Sequence, residues 1–296
     1  MKFGFVSLIG RPNAGKSTLL NRLIGTKIAI VSDTPQTTRN RILGVRNYPE
    51  GQVVYLDTPG IHRPLHRLNV RMVDTAFQTI GEVDLVGLVM DASESFGSGD
   101  RYVLGRLQRA RQPIILILNK VDLIAKPALL PMIEALSRAR PFAEIVPVSA
   151  LTGENVDRLE RVFLDYLPDG EPLYPADYLT DQPERFIVAE MVREQVLVHT
   201  RAEIPFSTAV ILNQFQEPDD KGLMRLSCTI LVDRESQKAI VIGRGGAMIK
   251  QIGTAARQEL ERFFDTHVFL DLHVKVRSGW REDERTLDDL GLRSDR

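Results

Sequence analysis

The stretch Gly10-Arg11-Pro12-Asn13-Ala14-Gly15-Lys16-Ser17 restricts the fold of this chain more than any other. It follows an apolar run, Phe3 to Ile9, and leads into Leu19, Leu20 and Leu23 at helical spacing. The spacing G-x-x-x-x-G-K-S between them predicts a strand, a tight turn and a helix, which is the start of an α/β domain. Chemistry explains the spacing. Backbone N–H groups converge on phosphates only where glycines permit the turn, and the helix N-terminus adds its positive end. Lys16 is then placed for the β- and γ-phosphates, Ser17 for Mg²⁺, and Thr18 for the first helical turn.

The rest of the first half has the alternation such a start requires. Ser32 to Arg41 is polar and reads as a loop. Ile42 to Arg46 and Val53 to Leu56 read as an antiparallel hairpin. A helix is expected through Val70, Val73, Phe77 and Ile80, then a strand from Leu85 to Met90, a helix from Tyr102 to Ala110, and a strand from Ile114 to Leu118. A helix around Ala128 to Ala139, a strand from Ile145 to Val148 and a helix from Val156 to Leu167 complete the series. Apolar strands alternating with helices predict a mostly parallel six-stranded sheet covered on both faces, with ligands at the carboxyl ends of the strands.

Three strand ends carry candidate ligand contacts. Asn119-Lys120-Val121-Asp122 follows one of them. A carboxylate at Asp122 can accept two hydrogen bonds from guanine N1–H and the 2-amino group, a donor pair adenine lacks. Asn119 is placed to tie this loop to neighbouring backbone, and the Lys120 stem to cover the base. Asp57-Thr58-Pro59-Gly60-Ile61 follows another strand, with Asp57 placed for the Mg²⁺ shell and the Gly60 N–H for the γ-phosphate. Thr38, with Thr37 as the alternative, completes the metal set from the polar loop. Ser149-Ala150-Leu151 brings backbone toward the guanine carbonyl. The candidate catalytic set is therefore Lys16, Thr38 and Gly60, and the metal set Ser17, Thr38 and Asp57.

Pro168, Gly170, Pro172, Pro175 and Pro183 mark a linker over 168–184. It separates a nucleotide-binding domain (1–167) from a second domain (185–281) and a charged tail (282–296), expected as a surface helix or a frayed end. The second domain reads as a helix from Phe186 to Val198, with Ile187, Met191 and Val198 on its apolar face. Strands from Ser207 to Phe215 and Leu223 to Asp233 follow, then a short helix to Ile242 and the turn Gly243-Arg244-Gly245-Gly246. A second helix through Ile249, Ile252, Ala256, Leu260 and Phe263 leads to a strand from Val268 to Val276. Basic residues outnumber acidic ones from Lys238 to Arg281, although the whole chain of 296 residues carries a net charge of only −1. A local basic surface of this kind suits a phosphate backbone. Trp280 is assigned to packing at the strand end rather than to base stacking.

With 43 % hydrophobic and 26 % charged residues, composition fits a soluble globular protein. A single cysteine, Cys228, allows no internal disulfide and points to a reducing cytosol. No secretory leader and no apolar run of about 18–20 residues is present. Peripheral contact with the inner face of a cell membrane stays open. The five histidines show no metal spacing.

Gly10–Ser17, Asp57–Gly60, Asn119–Asp122 and Ser149–Leu151 resemble the G1, G3, G4 and G5 motifs of translation-factor-type GTPases. Gln36-Thr37-Thr38-Arg39 resembles the G2 loop of the Era subgroup, within the TrmE-Era-EngA-like superfamily. Ile242-Gly243-Arg244-Gly245-Gly246 between helices resembles the G-x-x-G loop of a type II KH domain, an α+β fold whose groove holds about four single-stranded nucleotides. Arg244, Lys250, Lys275 and Arg277 are the candidate RNA contacts. The resemblance covers nearly the whole chain. It implies a cytoplasmic GTPase using GTP/GDP and Mg²⁺, binding 16S rRNA near its 3′ end during small (30S) ribosomal subunit assembly, with no DNA partner. The alternative is a membrane-surface or cell-cycle signalling GTPase whose C-terminal domain binds protein partners. Ile61 stands where Ras-like proteins carry a water-orienting glutamine, which implies slow hydrolysis or water placed by another group. In related GTPases an asparagine at the Asn13 position helps bind K⁺, making K⁺ a candidate cofactor.

Overall fold

The computed structural model describes Met1–Leu292; residues 293–296, the end of the expected charged tail, lie outside the described residues. The chain divides into two compact units. One comprises Met1–Val31, Thr38–Leu65 and Met72–Asp181; the other comprises Ser32–Thr37, His66–Arg71 and residues from Gln182 onward.

The first unit is built on β1 (Lys2–Gly10), β2 (Ile42–Tyr48), β3 (Gly51–Asp57), β4 (Leu85–Asp91), β5 (Ile114–Asn119) and β6 (Glu144–Pro147). They form one sheet in the order β2-β3-β1-β4-β5-β6. Only β2 runs antiparallel, hairpinned to β3 by a turn at Pro49-Glu50. The helices are α1 (Lys16–Ile24), α2 (Arg67–Gly81), α3 (Ser98–Leu107), α4 (Leu129–Ala139) and α5 (Val156–Tyr166). Alternation along β1 decides which face each side chain meets. Val6 and Leu8 join Leu20 of α1 and Phe163 of α5 in one core layer, while Ile9 joins Ala76 of α2, Val103 of α3 and Leu136 of α4 in the other. Two covered faces explain why these strands read as continuous apolar runs.

α3 begins at Ser98, four residues before the expected Tyr102. Its first turn is polar, and Asp100 satisfies the Gly97 N–H at 2.9 Å, so a capping contact rather than apolar periodicity starts the helix. The proline-rich stretch lies along the outer edge of the sheet. Val45 N–H donates to the Leu179 carbonyl at 2.8 Å, and Gln52 exchanges hydrogen bonds with Leu173 and Tyr174. The unpaired edge of β2 is thus covered by irregular chain.

The second unit contains α6 (Glu184–His199), α7 (Ile204–Ser207), β7 (Ala209–Gln216), β8 (Leu223–Val232), α8 (Glu235–Ile242), α9 (Ala247–Phe264), β9 (His267–Val276) and α10 (Glu284–Asp289). β8 is central, antiparallel to β7 and parallel to β9. Met224, Leu226, Cys228 and Ile230 alternate inward from β8 onto Val188 and Val192 of α6 and Ile252, Ala256 and Leu260 of α9. Two residues assigned to apolar helix faces point elsewhere: Val198 is 57 % exposed and Phe263 is 37 % exposed. Val192 and Val196 of the same helix are fully buried. α7, a single turn before β7, has no counterpart among the expected elements. Trp280 is fully buried and its indole N–H donates to the Ser207 carbonyl at 3.0 Å, as the packing assignment requires. Within the described part of the tail, Glu284–Asp289 forms the helix that is one of the two expectations: Asp283 caps it by accepting from the Thr286 N–H, and Thr286 and Leu287 are fully buried.

Candidate nucleotide site and nucleic-acid interface

β1, β3, β4 and β5 are parallel, so Gly10, Asp57, Asp91 and Asn119 all end at one edge of the first sheet. β1 lies between β3 and β4 while its own helix departs from that edge, which opens a crevice at the point where the winding reverses. The phosphate loop fills this crevice.

Within the loop, Asn13 and Gly15 hold left-handed φ values of 63° and 88°. Gly15 is required twice over, since a Cβ there would also lie 2.2 Å from the Asn119 amide nitrogen. Lys16 is buried and its ammonium donates to the carbonyl of Arg11 at 2.9 Å and more weakly to that of Gly10 at 3.4 Å. Burial pulls its pKa down to about 8, partly opposed by the charge of Asp57. A bound polyphosphate supplies negative charge that favours the ammonium form.

Ser17 donates to Asp57 Oδ2 at 2.6 Å and its hydroxyl lies 2.6 Å from that of Thr38; Thr38 lies 3.3 Å from the same carboxylate oxygen. Asp57 is fully buried, and its Oδ1 has no hydrogen-bond partner among the described residues. Burial raises the Asp57 pKa against the pull of Lys16 and the hydroxyl donors. Three converging oxygen groups and one orphaned carboxylate oxygen fit a hard divalent cation such as Mg²⁺. Of the two threonines, Thr38 is the one whose hydroxyl reaches Ser17 and Asp57, whereas the Thr37 hydroxyl lies 2.7 Å from Ser32 Oγ and 2.6 Å from the Thr34 carbonyl.

The loop after Asp57 closes on the phosphate loop. Ile61 N–H donates to the Gly10 carbonyl at 3.0 Å, and a Cβ on Gly60 would fall 2.6 Å from the Pro12 nitrogen. Thr58 donates to the Leu8 carbonyl at 2.9 Å. The Ile61 side chain is 1 % exposed, packed in the core rather than facing the site.

Asn119 acts as a tie. Its amide donates to the Ala14 carbonyl at 2.9 Å and its carbonyl accepts from the Ala150 N–H at 2.9 Å, joining three loops through one buried side chain. Lys120 is left-handed at φ 65°, and its ammonium meets Asp91 at 2.6 Å. Burial pushes the Asp91 carboxyl upward, but the Lys120 and Ser93 hydrogen bonds outweigh it and hold the pKa below the usual range. Val121 is buried while Asp122 is exposed. Arg22 of α1 is a residue that sequence reasoning misses. It donates to the carbonyls of Ala150 and, more closely, Leu151, bracing the loop from Ser149. A basic residue in the last turn of a helix gives no signal of that role.

In the second unit, α8 ends at Ile242 and α9 begins at Ala247, with Gly243-Arg244-Gly245-Gly246 between them. A Cβ on Gly245 or Gly246 would meet nothing within 4 Å, so this loop offers bare backbone to an incoming chain. Arg244 and Lys250 are exposed beside it. The other two candidate contacts sit at the end of β9. Lys275 alternates with Val274 and Val276, which pack toward the helices, and therefore projects from the opposite sheet face. Arg277 is engaged by Asp283 at 2.7 Å.

Two family models match: "50S ribosome-binding GTPase" over residues 5–120 and "KH domain" over residues 203–281. The chain is 52 % identical to GTPase Era of Geotalea daltonii, covering 97 % of both chains, and 49 % identical to GTPase Era of Heliobacterium modesticaldum, covering 99 % of this chain and 97 % of that one. The chain belongs to the Era GTPase family. It is thus a GTP-binding and GTP-hydrolysing enzyme with a C-terminal KH domain. Solved Era structures share the fold over the full length. One is Era in complex with MgGDPNP and nucleotides 1506–1542 of 16S ribosomal RNA, at TM-score 0.96 and 42 % identity, covering 99 % of this chain and all of that one. Another is a point variant of Aquifex aeolicus Era bound to GDP·AlF4⁻, at TM-score 0.95 and 41 % identity, with the same coverage of both chains.

Proposed function

We propose that this Era-family GTPase is a nucleotide-driven RNA-binding switch. It holds single-stranded RNA at the Gly243–Gly246 loop, takes 16S rRNA near its 3′ end as target, and assists assembly of the 30S subunit in the cytoplasm. The observation that carries this reading is full-length likeness to an Era solved with that RNA segment, joined to a bare-backbone loop flanked by Arg244 and Lys250.

In this reading Gly10–Thr18 cradle the phosphates, Lys16 neutralises charge developing on the transferred phosphoryl group, and the Gly60 N–H reads the γ-phosphate. Ser17, Thr38 and Asp57 would hold Mg²⁺, which would supply positive charge against the nucleotide's phosphates. Asp122 selects guanine while Asn119 and the Ser149–Leu151 backbone hold that subsite in shape. The core-packed Ile61 cannot orient water, so the nucleophile is placed by another group. Asn13 is the candidate to hold K⁺ for electrostatic assistance; equal hydrolysis rates in Na⁺ and K⁺ would remove it. Among the described residues no helix is long and apolar enough to cross a membrane, and membrane contact plays no part in this reading.

The deciding experiment sequences RNA crosslinked to the protein in cells. Reads concentrated near the 3′ end of 16S rRNA are expected; reads scattered away from small-subunit rRNA would sink the reading.

A further inference from the structure

Arg193 lies in α6, the first helix of the second unit, and is 2 % exposed. A buried guanidinium is costly unless paired. Glu190, one turn earlier, accepts from Nε at 2.7 Å and from Nη2 at 2.6 Å, a fork that locks the side chain. Nη2 also donates, closely, to the main-chain carbonyl of Thr37. Nη1 is buried with no hydrogen-bond partner among the described residues.

Thr37 belongs to the same compact unit as Arg193, whereas Thr38 belongs to the unit that contains Ser17 and Asp57. One peptide bond joins Thr37 to Thr38. On one side of that bond a carbonyl is gripped by a locked arginine; on the other a hydroxyl lies 2.6 Å from Ser17 Oγ and 3.3 Å from Asp57. A peptide is planar, so fixing the Thr37 carbonyl also fixes the Thr38 N–H and restricts where the Thr38 side chain can start. The Gln36 backbone, left-handed at φ 68°, and the Ser32–Thr37 hydroxyl pair hold the rest of this loop in a compact turn around the gripped carbonyl. The spare Nη1 donor gives the guanidinium capacity for a second carbonyl when the loop is rearranged.

Resting on the GTPase–RNA reading above, we propose that Arg193 is a positioning residue for the metal-binding hydroxyl of Thr38. The grip on Thr37 makes the helix that opens the RNA-binding domain sensitive to whether Thr38 is engaged at the nucleotide. By reciprocity, whatever strains that helix must also alter the hold on Mg²⁺ and nucleotide.

The test compares full-length wild type with Arg193→Met, Arg193→Lys and Glu190→Gln. Two quantities are read: release of a fluorescent non-hydrolysable GTP analogue against Mg²⁺ concentration, and affinity for a single-stranded 16S 3′-end RNA with GDP or with a non-hydrolysable GTP analogue. For Arg193→Met, release in saturating Mg²⁺ is expected to quicken on the order of tenfold, the scale of one lost charge-assisted hydrogen bond. Release in EDTA is expected to match wild type, as is RNA affinity without nucleotide, while the RNA-affinity difference between nucleotide states collapses. Arg193→Lys should rescue little, because an ammonium cannot fork to Glu190 and still reach Thr37. If Arg193→Met does not fold, Glu190→Gln is read in its place, with a severalfold change expected. Wild-type Mg²⁺ dependence together with an intact nucleotide-dependent difference in RNA affinity would overturn the proposal. Failure of the wild-type protein to bind the RNA would instead overturn the functional reading, and the Mg²⁺ arm would still judge Arg193.

Discussion

Asp122 and Cys228 mark the two extremes of what a single side chain contributes here. Asp122 is exposed in the loop after β5, where the guanine-reading carboxylate is proposed. Asp122→Asn reverses one hydrogen-bonding group from acceptor to donor, so preference should shift from GTP toward xanthosine triphosphate by about a hundredfold or more, on the order of the discrimination that buried unpaired polar groups produce. Competition binding with the two nucleotides measures it, and unchanged GTP preference would discard the base assignment. Cys228 is fully buried in the second core, and burial pushes its thiol pKa up to about 12. Because the folded pKa lies above the ordinary value, thiolate is suppressed at pH 8 and appears only as the chain unfolds. Alkylation at pH 8 should be very slow in buffer and complete in denaturant; rapid labelling of folded protein would contradict this packing. Asn119 lies between these extremes, buried and bonded on both sides. Asn119→Ala orphans the Ala14 carbonyl and the Ala150 N–H, at about 1–3 kcal/mol each. GTP affinity should fall at least tenfold by titration calorimetry, while α/β content by circular dichroism is kept.

Among the elements, the α8–α9 connection carries the sharpest expectation. Its bare backbone faces open space, and a carboxylate placed there would repel a phosphodiester at the point of closest approach. Arg244→Asp with Gly245→Asp should lower single-stranded RNA affinity more than tenfold and leave GTP binding unchanged. If both are retained, RNA is bound somewhere other than this loop. The elements differ in how openly they declare themselves. β1, β4 and β5 are readable because sheets covered on both faces demand unbroken apolar runs. α3 hides its first turn because a cap, not an apolar stripe, begins it. α7 hides altogether, since one turn is too short for periodicity to register.

Across the whole molecule, charge and topology separate the two tasks. A net charge of −1 gives no long-range attraction to nucleic acid, so RNA affinity must come from local phosphate contacts. With about four nucleotides in the groove, the slope of log affinity against log salt should be about −3 or shallower, from roughly −0.7 per neutralised phosphate. A slope several times steeper would mean a much larger basic footprint than the Gly243–Gly246 loop and its neighbours provide.

From the sequence alone follow the α/β character of the first half, the phosphate loop, the proposal that Asp122 selects guanine, and the helix–glycine–helix order of the second half. Each is written in local spacing, and local spacing follows directly from backbone geometry. Tertiary structure decides what spacing does not encode. It turns the Thr38 hydroxyl toward Asp57 and the Thr37 hydroxyl toward Ser32. It also draws Arg22 under the Ser149–Leu151 loop, takes Lys275 to the far sheet face, and sets Arg193 against the carbonyl of Thr37. The partners of Arg22 and Arg193 are far away in the chain, and such long-range contacts depend on how whole elements pack, which no short pattern of residues records.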